Sequence, residues 1–476
     1  MNKNDRATWL GFLQLLCCTF FFSLSEAAEL PLKAVEEKSV STEAGVKPLV
    51  GDFKVTTFHL ANGLKILVLE DHASPTFAYQ TWFKVGSKDE QVGKTGLAHF
   101  FEHMMFKGTK NYKAGEFDRL LEKAGVLGEN AFTSHDYTAY VQELPKDQLE
   151  LVMKLESDRM TQLVIDEKGF KTEREVVQNE RRLRTENSQD GTLEESLFDL
   201  AFKRHPYHWP VIGYEKDLNA MRPADAMAFY RRFYSPAHAT VVVVGDVNTQ
   251  DVLKLAQKYY GSVDAEVDLP HFVPKEPPQM AFRKKELKLN IELEKILMGY
   301  HSPQAQSPDT AALEVLQNLL AGSKSSRLNQ ALVETGIASA VDCGNYGNKD
   351  PSLFVISATL QQGKRAEQAE KVILNELSVL QTSLISTQEL QKAKNKFNFS
   401  FYEGLSSNFS KAMFLGHHET LHGDFQAGLQ LQKAVDALKP RDIQRVAQRY
   451  FQPRERTVIV GTPKLENRLK KKGSRT

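Results

Sequence analysis

Apolar positions along this chain recur at two spacings. Phe77, Tyr79, Thr81 and Phe83 alternate through the segment 72–90, the pattern of a strand. The β-branched runs TVVVVG from 240 and TVIVG from 457 read as buried strands, each preceded by a helix that ends on an aromatic pair and a proline turn. Helical spacing appears elsewhere. Leu97, Phe100, Phe101, Met104, Met105 and Phe106 make 97–106 apolar nearly all round, which predicts a buried helix, with Thr95 able to cap its start and Lys107-Gly108 to close it. Asp166 to Glu186 reads instead as a charged helix. Val176, Val177 and Leu183 form a stripe expected to face inward, and Lys171, Arg174, Arg181 and Arg182 occupy the other faces.

The strand pattern also repeats at long range. RRFYSPAHATVVVVGDV (231–247) is similar to QRYFQPRERTVIVGTP (448–463), with Pro236 and Pro453 217 positions apart (453 minus 236). Between them LPHFVPKEPPQ (269–279) carries four prolines and reads as a linker. Two homologous domains follow, 51–265 and 283–465, joined by a proline-rich linker over 266–282 and ending in a basic tail, 466–476. At the other end, Lys3 and Arg6 precede an apolar run from Ala7 to Leu24, interrupted at Gln14, and then Ser25-Glu26-Ala27-Ala28. This predicts a cleaved signal peptide over 1–28 and a periplasmic protein, with an uncleaved membrane anchor as the alternative. Residues 29–50, polar and without periodicity, read as a flexible leader.

Composition narrows the function. The formal net charge is +1, and the Lys470-Lys471-Lys472 run has no aromatic interleaving, which argues against a nucleic-acid surface. Cys17 and Cys18 leave with the signal peptide, so Cys343 alone remains and no internal disulfide framework forms. No G-x-S-x-G nucleophile elbow is present.

The candidate chemistry lies on the buried helix. His99-Phe100-Phe101-Glu102-His103 sets two imidazoles four residues apart on one helical face with a carboxylate beside them. Buried ionisable groups need a partner, and a metal ion supplies one. The order H-x-x-E-H marks the inverted-motif zinc peptidases. A catalytic zinc takes three protein ligands plus a water, so one more is required. Glu173 and Glu180, two turns apart on the charged helix, are the candidates; Glu180 is the preferred third ligand, and pairing with Arg184 at i,i+4 is its equally ordinary alternative. A literal H-E-x-x-H also occurs, His418-Glu419-Thr420-Leu421-His422. Its helix is expected to stop at Gly423-Asp424 with few residues left to add a ligand, so it reads as a solvated helix end. His135, His205, His208 and His238 read as ordinary strand and loop residues, because none has a second ligand type at metal-binding spacing.

From about Val55 to Thr462 the chain resembles the pitrilysin, insulin-degrading enzyme and mitochondrial processing peptidase family. The resemblance is carried by GLAHFFEHMMFKGT, by Glu180 77 positions after His103 (180 minus 103), by ENAFTSHDYTAY (129–140) and by HPYHWPVIG (205–213). It implies an α+β fold: two homologous modules, each an antiparallel β-sheet with helices on one face, forming a clam-shell cleft. It implies one Zn2+ per chain on His99, His103 and Glu180, with Glu102 as general base and Glu173 supporting the site. It also implies that Asn130, Ala131 and Phe132 lie on a strand beside the metal, that the strand in 72–90 is the edge strand pairing with extended substrate, and that the activity is endopeptidase cleavage of unfolded peptides.

One departure bears on partners. Family members that bind substrate alone carry an arginine and a tyrosine in a second-domain stretch similar to L-R-E-x-x-G-x-x-Y. Here SSRLNQALVETGIASAV has Val333 and Ser339 near those positions. A heterodimer with a homologous non-catalytic chain is therefore expected, with a homodimer as the alternative; Arg327 and Tyr346 are candidate substitutes for the missing pair. The competing function is a non-catalytic subunit that binds peptides or scaffolds a complex.

Overall fold

The computed structural model describes residues 45–264 and 272–464; the expected signal peptide and basic tail lie outside the described residues, as does most of the expected leader. That leader gives way at Gly45 to a strand. In chain order the strands are β1 (Gly45–Pro48), β2 (Lys54–His59), β3 (Lys65–Glu70), β4 (Thr76–Phe83), β5 (Gly128–Thr133), β6 (Thr138–Pro145), β7 (Ala239–Gly245), β8 (Arg283–Leu289), β9 (Lys295–Ser302), β10 (Ala338–Asn345), β11 (Ser352–Leu360) and β12 (Arg456–Pro463). β1 pairs with β2 through main-chain hydrogen bonds, and all four of its residues are exposed, so no apolar pattern marks it.

Two sheets form. The first has the order β1-β2-β3-β7-β4-β6-β5 and the second β10-β11-β9-β12-β8. Read from its other end, the second sheet runs β8-β12-β9-β11-β10, which matches β3-β7-β4-β6-β5 strand for strand. In both, one parallel pair (β3 with β7, β8 with β12) stands among antiparallel neighbours. The two copies of the repeat, β7 and β12, occupy equivalent places, so the duplication extends to topology.

β4 is not an edge strand. It lies between β7 and β6, and the edge strands of the first sheet are β1 and β5. The alternation of Phe77, Tyr79 and Phe83 marks only one buried side; Ala78 and Trp82 on the other side are also fully buried. Apolar residues on both sides of a strand mean that both faces of the sheet are covered there.

Each module is, as expected, a sheet with its own helices on one face, and an exchange of helices between the modules covers the other. The first sheet packs one face against its own module's helices, through Phe77, Tyr79, Val241 and Val243. Its other face, with Leu67, Ala78, Trp82 and Val242, takes Ala412 and Leu415 from the second module's helix Asn408–His422. A Cβ at Gly416 would fall 2.1 Å from Trp82 Nε1, which is why this crossing needs glycine. Reciprocally, Leu193 and Leu197 on helix Gln189–Ala201 pack on Leu297, Leu353 and Ile459 of the second sheet. The two exchanged helices begin 219 residues apart (408 minus 189), close to the repeat length.

Candidate metal centre

The helix Leu97–Met104 carries His99, Glu102 and His103. Thr95 does not cap it. Gly96, with φ 91, is the first half-helical residue, and the buried Glu90 carboxylate accepts the N–H groups of Gly96 and Ala98, both at 2.8 Å. The Thr95 hydroxyl donates instead to Asp217 at 2.7 Å. A helix start this deep needs a carboxylate from outside the helix to satisfy its N–H groups. The helix ends at Met104, and Lys107 turns to Glu173, with Nζ 2.7 Å from Oε2.

The charged segment forms the helix Glu167–Arg181, capped by Asp166, and a wider turn, Arg182–Glu186, follows it. Its buried stripe is Phe170, Glu173, Val177 and Arg181, spaced at i, i+3 and i+4. Val176 and Leu183 are exposed, against expectation, because the stripe that packs runs through 170 and 177 rather than 176 and 183.

The two helices bring four groups around one point. Glu180 Oε2 lies 3.6 Å from His99 Nε2 and 3.2 Å from His103 Nε2. Ligand atoms on a tetrahedral zinc with bonds of about 2.0–2.1 Å stand about 3.4 Å apart, so these separations suit a shared ion. His99, Glu102 and His103 can also each bring a ligand atom within 4.8 Å of the others. His103 Nδ1 is 2.9 Å from Glu173 Oε1, which leaves the Nε2 lone pair directed at the centre when Nδ1 carries the proton. Glu180 Oε2 is buried without a hydrogen-bond donor, as a metal-facing oxygen would be. Its other oxygen pairs with Arg184 at 2.8 Å, so the expected ion pair forms and still leaves Oε2 facing the two imidazoles. Glu102 Oε2 accepts from the Thr133 hydroxyl at 2.7 Å.

The protonation pattern follows from these contacts. Burial, helped by the neighbouring His103, lowers His99 to about 4. Burial opposes charge on His103 as well, but Glu173 and Glu180 outweigh it and raise that ring to about 9. Glu102 is raised by burial, and the Thr133 hydrogen bond partly offsets the shift. Glu173, despite burial, is held below the ordinary carboxyl range by His103 and Lys107.

A cavity of about 880 Å³ opens beside this centre, lined by Asn130, Ala131 and Phe132 of β5 and also by His135, Glu194 and Trp209. Glu194 was not legible as a site residue, and His135, marked only within ENAFTSHDYTAY, read as an ordinary loop residue. Trp209 was marked only within HPYHWPVIG.

The second motif is not the solvated helix end expected of it. Glu419 is buried, 2 % exposed, with Lys65 Nζ 2.5 Å from its Oε1 and the Phe425 N–H donating to Oε2. It lies on the exchanged helix against the first sheet, so its carboxylate is committed to packing. The helix does end at Gly423, with φ 76. Arg327 is likewise committed, to Glu389 at 2.6 and 2.9 Å. Tyr346 does not line the cavity, but its hydroxyl donates to Glu194, which does.

Comparison with known proteins accords with this geometry. Residues 65–214 match the family model described as Insulinase (Peptidase family M16), and residues 220–397 match Peptidase M16 inactive domain. The zinc protease PqqE of Helicobacter pylori is 34% identical over 409 residues, covering 85% of this chain and 92% of that one. The crystal structure of a protease from Helicobacter pylori superposes with a TM-score of 0.82 at 34% identity, over 86% of this chain and 99% of that one. A peptidase M16 inactive domain from Pseudomonas fluorescens shares the fold, with a TM-score of 0.77 at 17% identity over 86% of this chain and 98% of that one.

Proposed function

We propose that this chain, which belongs to peptidase family M16 and is of its two-domain bacterial type, is a zinc-dependent endopeptidase acting on unfolded peptides. The observation that carries the reading is the position of Glu180 Oε2, 3.6 and 3.2 Å from the Nε2 atoms of His99 and His103, with Glu102 on the same helix as both histidines. Zinc, when bound, supplies Lewis acidity toward a water molecule and the scissile carbonyl. Glu102 accepts a proton from the attacking water and later delivers it to the leaving amine; burial raises its pKa, which makes it a better base than a solvated carboxylate. Thr133 fixes the orientation of that carboxylate, and Glu173 that of His103. The free edge of β5, with Asn130, Ala131 and Phe132, takes an extended peptide by strand addition, which recognises main chain with little regard to sequence.

The partner proposed is a homologous non-catalytic chain. Neither Arg327, held by Glu389, nor Tyr346 lines the cavity; Tyr346 reaches it only through its hydrogen bond to Glu194. Size-exclusion of the chain with and without a co-encoded homologue tests this, and a stable lone monomer with full activity would contradict it. Export to the periplasm is proposed from the sequence pattern of residues 1–28. Among the described residues no helix is long and apolar enough to cross a membrane.

The competing reading, a non-catalytic subunit, draws on the match of residues 220–397 to an inactive domain. That match falls outside the stretch bearing His99 to Glu180. Hydrolysis of a quenched, unstructured peptide decides between the readings. Activity lost in chelator and in Glu102→Gln, and kept in Glu419→Gln, supports the peptidase; no activity in zinc-loaded protein, alone or with its partner, supports the subunit.

A further inference from the structure

One wall of the cavity beside the metal-binding residues is built with more restraint than packing requires. His135 lies in the connection between β5 and β6 and borders the cavity. Its Nδ1 stands 2.8 Å from the Oγ of Ser87, a fully buried residue. The backbone there is pinned as well. Ser87 N–H donates to Ser134 O at 3.1 Å, and Lys88 N–H donates to His135 O at 3.0 Å. A Cβ at Gly86 would come within 2.4 Å of the His135 carbonyl carbon, so only glycine allows this approach. Trp209 Nε1 donates to the Ser87 carbonyl at 2.8 Å and fixes the far side of the same segment. The ring itself is flanked by Tyr207 and Phe198, with centroids at 4.9 and 5.7 Å.

These contacts fix the ring and leave Nε2 without a hydrogen-bond partner among the described residues. Ser87 Oγ and Nδ1 share this one contact, and with the hydroxyl as donor the ring proton sits on Nε2. Burial lowers the imidazole to about 4, so the ring stays neutral through the physiological range. Thr133, which holds Glu102, precedes His135 by two residues, so no more than about 7 Å of chain separates their Cα atoms. His135 lies just beyond the end of β5 and lines the same cavity as Glu102.

We propose that His135 is a substrate-contacting residue whose Nε2–H donates to a main-chain carbonyl of the bound peptide beside the scissile bond. Ser87 is the positioning residue that sets its tautomer. The assignment rests on the cavity being a peptide site, and it identifies a polar anchor supplied by the first module itself, where the second lacks the arginine and tyrosine expected of relatives that act alone.

The test is fluorescence anisotropy of a labelled unstructured peptide against the zinc-loaded Glu102→Gln protein, which can bind without cutting. Adding His135→Leu is expected to weaken binding about tenfold, the size of one net hydrogen bond. His135→Gln, which keeps a donor at the ε position, is expected to recover most of that loss. Zinc content and thermal melting accompany each variant, so a folding defect is separated from a lost contact. In the active background the same loss should appear in KM more than in kcat. If the parent binds peptide and His135→Leu binds equally well, this proposal is overturned and the peptidase reading stands. If the parent itself binds no peptide, both are overturned.

Discussion

Glu173 Oε1 stands 2.9 Å from His103 Nδ1, and it is the side chain that decides which nitrogen of that ring faces the centre. The same carboxylate takes Lys107 on its other oxygen, so it is ionised and fixed before any metal arrives. Replacing Glu173 with Ala is expected to lower zinc affinity 10- to 100-fold, the usual effect of removing such an orienting partner. Competition against a chromophoric chelator measures the loss, and excess zinc should restore part of the hydrolysis.

Thr133 is expected to set the acid limb of the pH profile. Its hydroxyl stabilises the ionised form of Glu102 and so pulls down a pKa that burial raises. Thr133→Val removes that hydrogen bond, Glu102 then holds its proton to higher pH, and the acid limb of kcat/KM moves up. An unmoved acid limb would mean that Thr133 does not touch the group that titrates there.

Glu419 offers the opposite behaviour. Glu419→Gln should leave zinc content and turnover unchanged, since the carboxylate is occupied by Lys65. It should cost about 3 kcal/mol in chemical denaturation, the low end for a buried ion pair that loses one charge and keeps the other, since Lys65 is partly exposed.

A second ion pair joins the exchanged helix to the first module and makes its docking sensitive to acid. Lys411 Nζ is 2.5 Å from Asp71 Oδ2, with both side chains 8 % exposed. Burial would raise Asp71, but Lys411 and the Ala73 N–H outweigh it and hold the carboxyl below its usual value. A depressed carboxyl stabilises the fold above its unfolded value, about 3.9, and that contribution is lost as pH falls through the lower folded value. In Lys411→Met the unpaired Asp71 rises instead, so acid unfolding followed by Trp82 fluorescence should begin at higher pH than in the parent.

How much of this was legible in the sequence depended on whether the signal was local. His99, Glu102 and His103 share one helical turn, so their spacing alone placed them together. Glu180 was preferred from its helix but not separable there from an Arg184 partner, and the structure gives it both contacts. The repeat around Pro236 and Pro453 foretold two equivalent modules, while the exchange of helices between them was hidden, since an apolar helix face does not name the sheet it will cover. The alternation in 72–90 correctly marked β4 as a strand, but its expected place at the edge came from the resemblance, and strand order is set by tertiary pairing that local spacing does not report. His135 and Glu194 join the cavity only through tertiary contacts, and a buried Glu419 looked like a solvated one because its partner, Lys65, is 354 residues away.

The central claim is that His99, His103 and Glu180 hold a single ion between two helices. Zinc quantified per chain in protein purified without chelator, for the parent and for Glu180→Ala, tests it most directly. One zinc per chain in the parent, falling well below one in the variant, is the expected result. A folded parent that carries no zinc and takes none up, or a Glu180→Ala protein that retains zinc with undiminished affinity, would contradict it.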